Sequence, residues 1–233
     1  MCLILVASRV HADFPLIVAA NRDEFHLRAS EPAGFWKDQP GILGGRDREA
    51  GGSWLGVSRS GRFASVTNYR GGRDPNALES RGALVTRFLE GSMSAREYAA
   101  DVARRGGGYS GFNLFADDGT ELWWCSNRDG AARLLDQGIY GLGNLLLDTP
   151  EVTQPKQRFA DSIEPGPAIE PLFTVLAASK IVAPEYGTRC STIVLIGGDG
   201  RLQLAERPFD SSGADGVTVR HEFRISAATP RKP

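Results

Sequence analysis

The sequence predicts a single α+β domain in which helices cover β-sheets. Apolar runs of strand length occupy both ends of the chain. Segments with helical periodicity cluster between them, at 81–105 and 154–181. No linker, repeat or composition break divides the 233 residues. A chain of this length buries a full core, and 41% hydrophobic with 24% charged residues is the balance of an ordinary soluble globular protein. Residues 1–226 are read as one domain and 227–233 as a disordered tail.

The first element is a hairpin. Leu3 to Ala7 and Pro15 to Ala20 are short apolar runs joined by a polar turn at 9–13, and both strands are expected to be buried. Asn21-Arg22-Asp23-Glu24 follows the second run, so the hairpin returns these four residues to the neighbourhood of Cys2. Residues 25–39, with Pro32, are read as a loop. Residues 54–58 and 63–69 form a second hairpin that stops at Asn68.

Ser80 is placed as the cap of a helix over 81–90 that ends at Gly91, with Leu84, Val85, Phe88 and Leu89 as its apolar stripe. Ser94 and Glu97 have capping-box spacing and open a helix to about Arg105, where three glycines stop it. Strands over 112–116, 121–125 and 132–136 turn at Asp118-Gly119 and Asp129-Gly130, and a further strand ends at Asn144. Helices over 154–163 and 171–181 come next. Strands at 186–196, 202–206 and 217–226 close the chain.

Several functional classes are excluded or disfavoured. A net charge of −1, from 27 basic and 28 acidic residues, leaves no footprint for nucleic acid. Three cysteines (Cys2, Cys125, Cys190) and three scattered histidines have no metal-ligand spacing and form no disulfide framework, so no metal is expected and a reducing compartment is. The opening apolar run is too short for a signal peptide or a membrane span, which points to the cytoplasm and against membrane insertion.

The chemistry concentrates at the start of the chain. Met1 precedes a small residue, so its removal leaves Cys2 as the N-terminus. A thiolate is a strong nucleophile, and a free α-amine titrates near pKa ~8, so one residue can carry both nucleophile and base. The plainer reading is that Cys2 is a small apolar residue of a buried strand and Asn21–Glu24 a solvated turn. Against it stand Cys2, Asn21, Asp23, Asn68 and Asn144 at strand ends, with Arg189 just before a late strand. Strands that share a sheet bring such ends together. Asparagine amides can donate to an oxyanion and arginines can hold a carboxylate or phosphate.

Met1-Cys2, Ala20-Asn21-Arg22-Asp23-Glu24-Phe25, Gly51-Gly52-Ser53-Trp54-Leu55-Gly56-Val57, Thr67-Asn68-Tyr69-Arg70 and Ser80-Arg81-Gly82 resemble, in order, the motifs of the NRDE family, that of transport and Golgi organization protein 2. Gly111-Phe112-Asn113-Leu114, Ser126-Asn127-Arg128, Leu142-Gly143-Asn144 and Tyr186-Gly187-Thr188-Arg189 continue the resemblance along nearly the whole chain. It implies a four-layer αββα sandwich of the N-terminal-nucleophile hydrolase type, with Cys2 as nucleophile. A more distant similarity to the bile-salt and penicillin-V amidases implies that Asp23 holds the amine of Cys2, that Asn68 and Asn144 form an oxyanion hole, and that Arg189 assists. Asn21, Arg22, Glu24 and Arg70 are then the substrate-binding candidates. Aligned on Asn21 and Asp23, Ala20 stands where those amidases carry an arginine, so Arg22 does not inherit that role.

The implied activity is hydrolysis of a linear amide bond through a thioester, with no cofactor required. The family also implies an alternative: a carrier of haem or an acyl-coenzyme A on the same fold. In that case Cys2 or His26 would be an axial ligand, and Arg22, Arg70, Arg73 and Arg81 would meet propionates or phosphates.

Overall fold

The computed structural model describes residues 2–72 and 74–226. Arg73 and the expected tail at 227–233 lie outside the described residues. The strands are β1 (Leu3–Ser8), β2 (Leu16–Phe25), β3 (Ser30–Phe35), β4 (Ile42–Asp47), β5 (Leu55–Ser58) and β6 (Phe63–Asn68), then β7 (Phe112–Asp117), β8 (Leu122–Ser126), β9 (Ala132–Leu135) and β10 (Gly138–Leu142), and last β11 (Tyr186–Ile196), β12 (Arg201–Pro208) and β13 (Val219–Arg224). The helices are α1 (Gly82–Glu90), α2 (Ala95–Arg105), α3 (Thr153–Ile163) and α4 (Ile169–Ala177).

Two antiparallel sheets result. One has the order β10-β1-β2-β11-β12-β13 and the other runs β3 to β9 in sequence. Their facing sides bury Val6, Val18, Phe63, Phe115, Trp124 and Val194 in a central core. On the outer side of the seven-stranded sheet, α1 and α2 pack Leu84, Phe88, Tyr98 and Val102 against Phe112 and Leu114. On the outer side of the six-stranded sheet, α3 and α4 pack Phe159, Leu172 and Leu176 against Leu5, Ile17 and Ile193. Period-two alternation along β1 and β2 feeds the two cores in turn, and the layers stack as αββα.

The expected hairpins form as β1–β2 and β5–β6. The capping box is complete: Ser94 Oγ accepts from the Glu97 amide at 3.2 Å and Glu97 accepts from the Ser94 amide at 2.9 Å. Three readings need correction. Residues 30–35, read as loop, form edge strand β3, where Pro32 falls in a register shift between Glu31 and Gly34 and its missing N–H costs no ladder bond. Ser80 does meet the start of α1, its Oγ accepting from the Gly82 amide at 3.3 Å, while Arg81, which borders the helix, makes no side-chain cap bond. Helix α4 spans Ile169–Ala177 instead of 171–181, with Pro171 tolerated in its first turn. Asn21–Glu24 is no turn: β2 runs on to Phe25 because β11 pairs with it as far as Tyr186 opposite Phe25.

Candidate active site

Cys2 precedes β1 at the open end of the central layer. The register that sets Leu3 opposite Asn21 sets Cys2 opposite Arg22. Its thiol lies along the backbone of Asp23, donating to the Asp23 carbonyl and accepting from the Asp23 amide, both at 3.4 Å. A cavity of about 410 Å³ opens here between the sheets. The six-stranded sheet contributes Cys2, Arg22, Asp23 and Glu24 to its wall, and the seven-stranded sheet and its loops contribute Asp47, Ser53, Trp54 and Asn68. The segment 77–82, which leads into α1, closes one side.

The strand state of β2 separates its four polar residues. Asn21 is buried on the helix-facing side, where Nδ2 donates to Leu176 of α4 at 3.0 Å and Oδ1 accepts from Ser191 Oγ at 2.6 Å. It braces α4 on the sheet and is absent from the cavity wall. Arg22 points the other way and is 6% exposed. Its Nη2 is 3.4 Å from Asp47 Oδ2 and its guanidinium lies 4.3 Å from the Trp54 ring centre. Its Nη1 is buried with no hydrogen-bond acceptor among the described residues. Asp23 Oδ1 accepts from Thr188 Oγ1 at 2.6 Å, and that hydroxyl accepts from the Ile181 amide at 2.9 Å. Glu24 is half-buried in the wall, 3.7 Å from Arg28 Nε.

Asn68 and Asn144 do come together, as a brace between the sheets. Asn144 Nδ2 donates to the Asn68 carbonyl at 2.7 Å, and its own carbonyl accepts from the Arg70 amide at 2.6 Å. Asn68 lines the cavity and Asn144 does not. The Arg70 side chain is exposed and 3.5 Å from Glu151. Arg189 occupies the bulge between Thr188 and Cys190, from which Nη1 donates to the carbonyls of Phe25 (3.0 Å) and His26 (2.7 Å). It ties down the end of β2 without lining the cavity.

Sequence reasoning gave no role to Asp47, Trp54, Thr188 or Tyr186. Asp47 ends β4 and accepts from Arg28 Nε at 2.6 Å and from the amides of Glu49 and Ala50 at 3.0 Å. Tyr186 donates its hydroxyl at 3.1 Å to the same Asp23 carbonyl that the Cys2 thiol meets. Three of the four stood inside motifs already singled out, or beside one: Trp54 after Gly51-Gly52-Ser53, and Tyr186 and Thr188 in Tyr186-Gly187-Thr188-Arg189. Only their partners in space give them roles.

The electrostatics of the wall are opposed in sign. Burial and then the charge of Asp23 push the Cys2 thiol up to about 11, against the Asp23 amide and the charge of Arg22, which act downward. Burial works against ionisation of Asp47, but the Arg28 hydrogen bond, the Ala50 amide and the charges of Arg28 and Arg22 prevail, and its carboxyl is held below the ordinary value. Among the described residues no three His, Cys, Asp or Glu side chains are placed to hold a metal ion, and no helix is long and apolar enough to cross a membrane.

An αββα sandwich with a cysteine at the head of its first strand, opening on a cavity between the sheets, has the fold of the N-terminal-nucleophile hydrolases. A Caenorhabditis elegans N-acylethanolamine-hydrolyzing acid amidase ortholog shares it with a TM-score of 0.55 over 83% of this chain and 92% of that one; at 11% identity the likeness is one of fold. The chain belongs to the Transport and Golgi organisation 2 family, whose model matches residues 1–211. The Transport and Golgi organization protein 2 homologs of Bos taurus and Homo sapiens are each 34% identical to it, over 92% of this chain and 94% of theirs. The Drosophila melanogaster Transport and Golgi organization protein 2 is 30% identical over 63% of this chain and 58% of its own length.

Proposed function

We propose that this chain, once Met1 is removed, hydrolyses a linear amide bond through a thioester on Cys2. The observation that carries this reading is the seat of Cys2: a thiol at the head of β1, held between the amide and carbonyl of a buried aspartate, in the wall of a cavity that Asn68 also lines. The Cys2 sulfur attacks the acyl carbon and its proton passes to the α-amine of the same residue. That proton then goes to the leaving nitrogen as the C–N bond breaks, leaving a thioester. Water adds to the thioester, the α-amine takes its proton, and the thiol is regenerated as the acid departs. Asp23, with one oxygen oriented by Thr188, holds the α-ammonium. Asn68 donates from the wall and Asn144 braces it.

Carriage of haem or an acyl-coenzyme A draws less support from this geometry. Arg22 and Arg81 are in the wall, but Arg70 faces solvent beside Glu151 and His26 Nε2 is 2.9 Å from the Ala183 carbonyl. The test is release of 4-nitroaniline from N-acyl-4-nitroanilides of graded chain length by Met1-trimmed protein. Release is expected from the trimmed wild type and not from Cys2→Ser, whose melting temperature should be close to wild type because Cys2 is only half-buried. Equal release by the serine variant would remove Cys2 from the chemistry.

A further inference from the structure

Arg22 has a donor that no acceptor among the described residues uses. Its guanidinium is buried, with Nη2 3.4 Å from Asp47 and its carbon 4.3 Å from the Trp54 ring centre, while Nη1 lies in the interior without an acceptor among the described residues. An unsatisfied buried donor is costly, a charged one above all, so a fold that keeps one invites an acceptor from outside. Arg22 is the cross-strand neighbour of Cys2 on the inner face, where facing Cβ atoms are about 5 Å apart. Asn144, by contrast, has already committed its Nδ2 to the Asn68 carbonyl.

The acceptor can be a resting anion or a carbonyl oxygen that gains charge only during reaction. Among the described residues the cavity wall carries five carboxylates against three guanidinium groups. A wall of that balance repels an anion that arrives already charged. It admits a neutral carbonyl, and a fixed donor then stabilises the oxygen as charge develops, which is stabilisation of the transition state over the ground state. Resting on the amide-hydrolase reading above, we infer that Arg22 is the charged half of the oxyanion site: its guanidinium, in the cavity wall and with a donor to spare, takes the substrate carbonyl oxygen as the Cys2 sulfur closes on the acyl carbon. The substrate class is accordingly an acyl donor that is neutral at the reacting carbonyl.

Two reagents separate this role from an effect on the thiol or on folding. Acylation of Cys2 by p-nitrophenyl acetate passes through an oxyanion, whereas alkylation by iodoacetamide does not; Cys125 and Cys190 are buried, so Cys2 is the thiol that reports. Both rates are followed by intact mass on Met1-trimmed protein. In Arg22→Met the acylation rate should fall about 100-fold or more, the cost of losing one oxyanion donor, while alkylation falls far less, by only what the thiolate loses with the Arg22 charge. Arg22→Lys, which keeps the charge and fills the site, should recover part of the acylation rate, and Asn144→Ala should lose less than Arg22→Met.

Equal losses of acylation and alkylation in both Arg22 variants would overturn the inference by placing Arg22 on the thiol or the fold. Unchanged acylation in Arg22→Met would overturn it outright while leaving the hydrolase reading intact. Protection of the wild-type thiol from iodoacetamide by inorganic phosphate, lost in Arg22→Met, would also overturn it, in favour of a resting anion site. Trimmed wild type that alkylates yet never acylates would sink the hydrolase reading itself.

Discussion

A thiol can serve as a nucleophile only to the extent that it ionises, and burial beside Asp23 opposes that at Cys2. In the chain that keeps Met1 its pKa is near 11. Alkylation by iodoacetamide should therefore still be climbing about tenfold per pH unit above pH 9, where an ordinary thiol of pKa ~8.5 has levelled off. Removing Met1 leaves an α-ammonium on the same residue, which favours the thiolate, and the climb should move to lower pH. A rate–pH profile on both forms checks this. A midpoint near 8.5 in the untrimmed chain would show that Asp23 and burial do not govern the sulfur. At this scale the sequence showed which residue types gather at the head of β1 but not which way they face. Asn21 and Arg22 are adjacent letters of one motif. A strand turns one toward α4 and the other toward Trp54, and the strand runs this far because residues 186–191 pair with it from 161 to 170 residues away.

The elements most legible in the sequence were those whose signals are local: the β1–β2 and β5–β6 hairpins, the Ser94–Glu97 capping box and the apolar stripe of α1. Edge strand β3 was hidden because Pro32 and a register shift disguise its alternation. The way α1 meets the cavity was hidden too, since it depends on two glycines remote from each other in sequence. The Gly52 and Gly82 backbones touch: a Cβ on Gly52 would lie 2.5 Å from the Gly82 carbonyl carbon and 2.7 Å from its oxygen, whereas a Cβ on Gly82 meets nothing closer than 3.1 Å. Backbone cannot rotate aside as a side chain can. Gly52→Ala should therefore cost about 1–3 kcal/mol as an overpacking substitution. Gly82→Ala should cost less, because alanine regains helix propensity at the start of α1. Urea melts of the two variants read the difference. An order reversed, with Gly82→Ala the weaker protein, would show that the helix is not seated by this contact.

The two sheets are joined at both ends, and the ends differ in chemistry. The cavity occupies the end where β1 begins; at the other end Arg9, just after β1, reaches across to Asp117 at the close of β7, 3.5 Å away. Asp117 is 2% exposed, and burial raises its pKa to about 6 despite the Gly119 amide and the charge of Arg9. Unfolded, it titrates near 3.9. Between roughly pH 4 and 6 the folded chain therefore holds a proton that the unfolded chain has released, so Asp117 favours folding below this window and its contribution is lost as pH rises through it. A shift of about two units corresponds to about 3 kcal/mol. Asp117→Asn cannot titrate, and every other carboxylate is common to both proteins and cancels in their difference. The stability of wild type minus that of Asp117→Asn, from denaturant melts at matched pH, should then fall by about that amount between pH 4 and pH 7. A difference that stays flat would mean that Arg9 and the Gly119 amide offset burial, so that the carboxylate titrates alike in the folded and unfolded chain. A difference that rises with pH would make the pair a net tie between the sheets at neutral pH, and the end remote from Cys2 would be clamped by charge instead of by a buried proton.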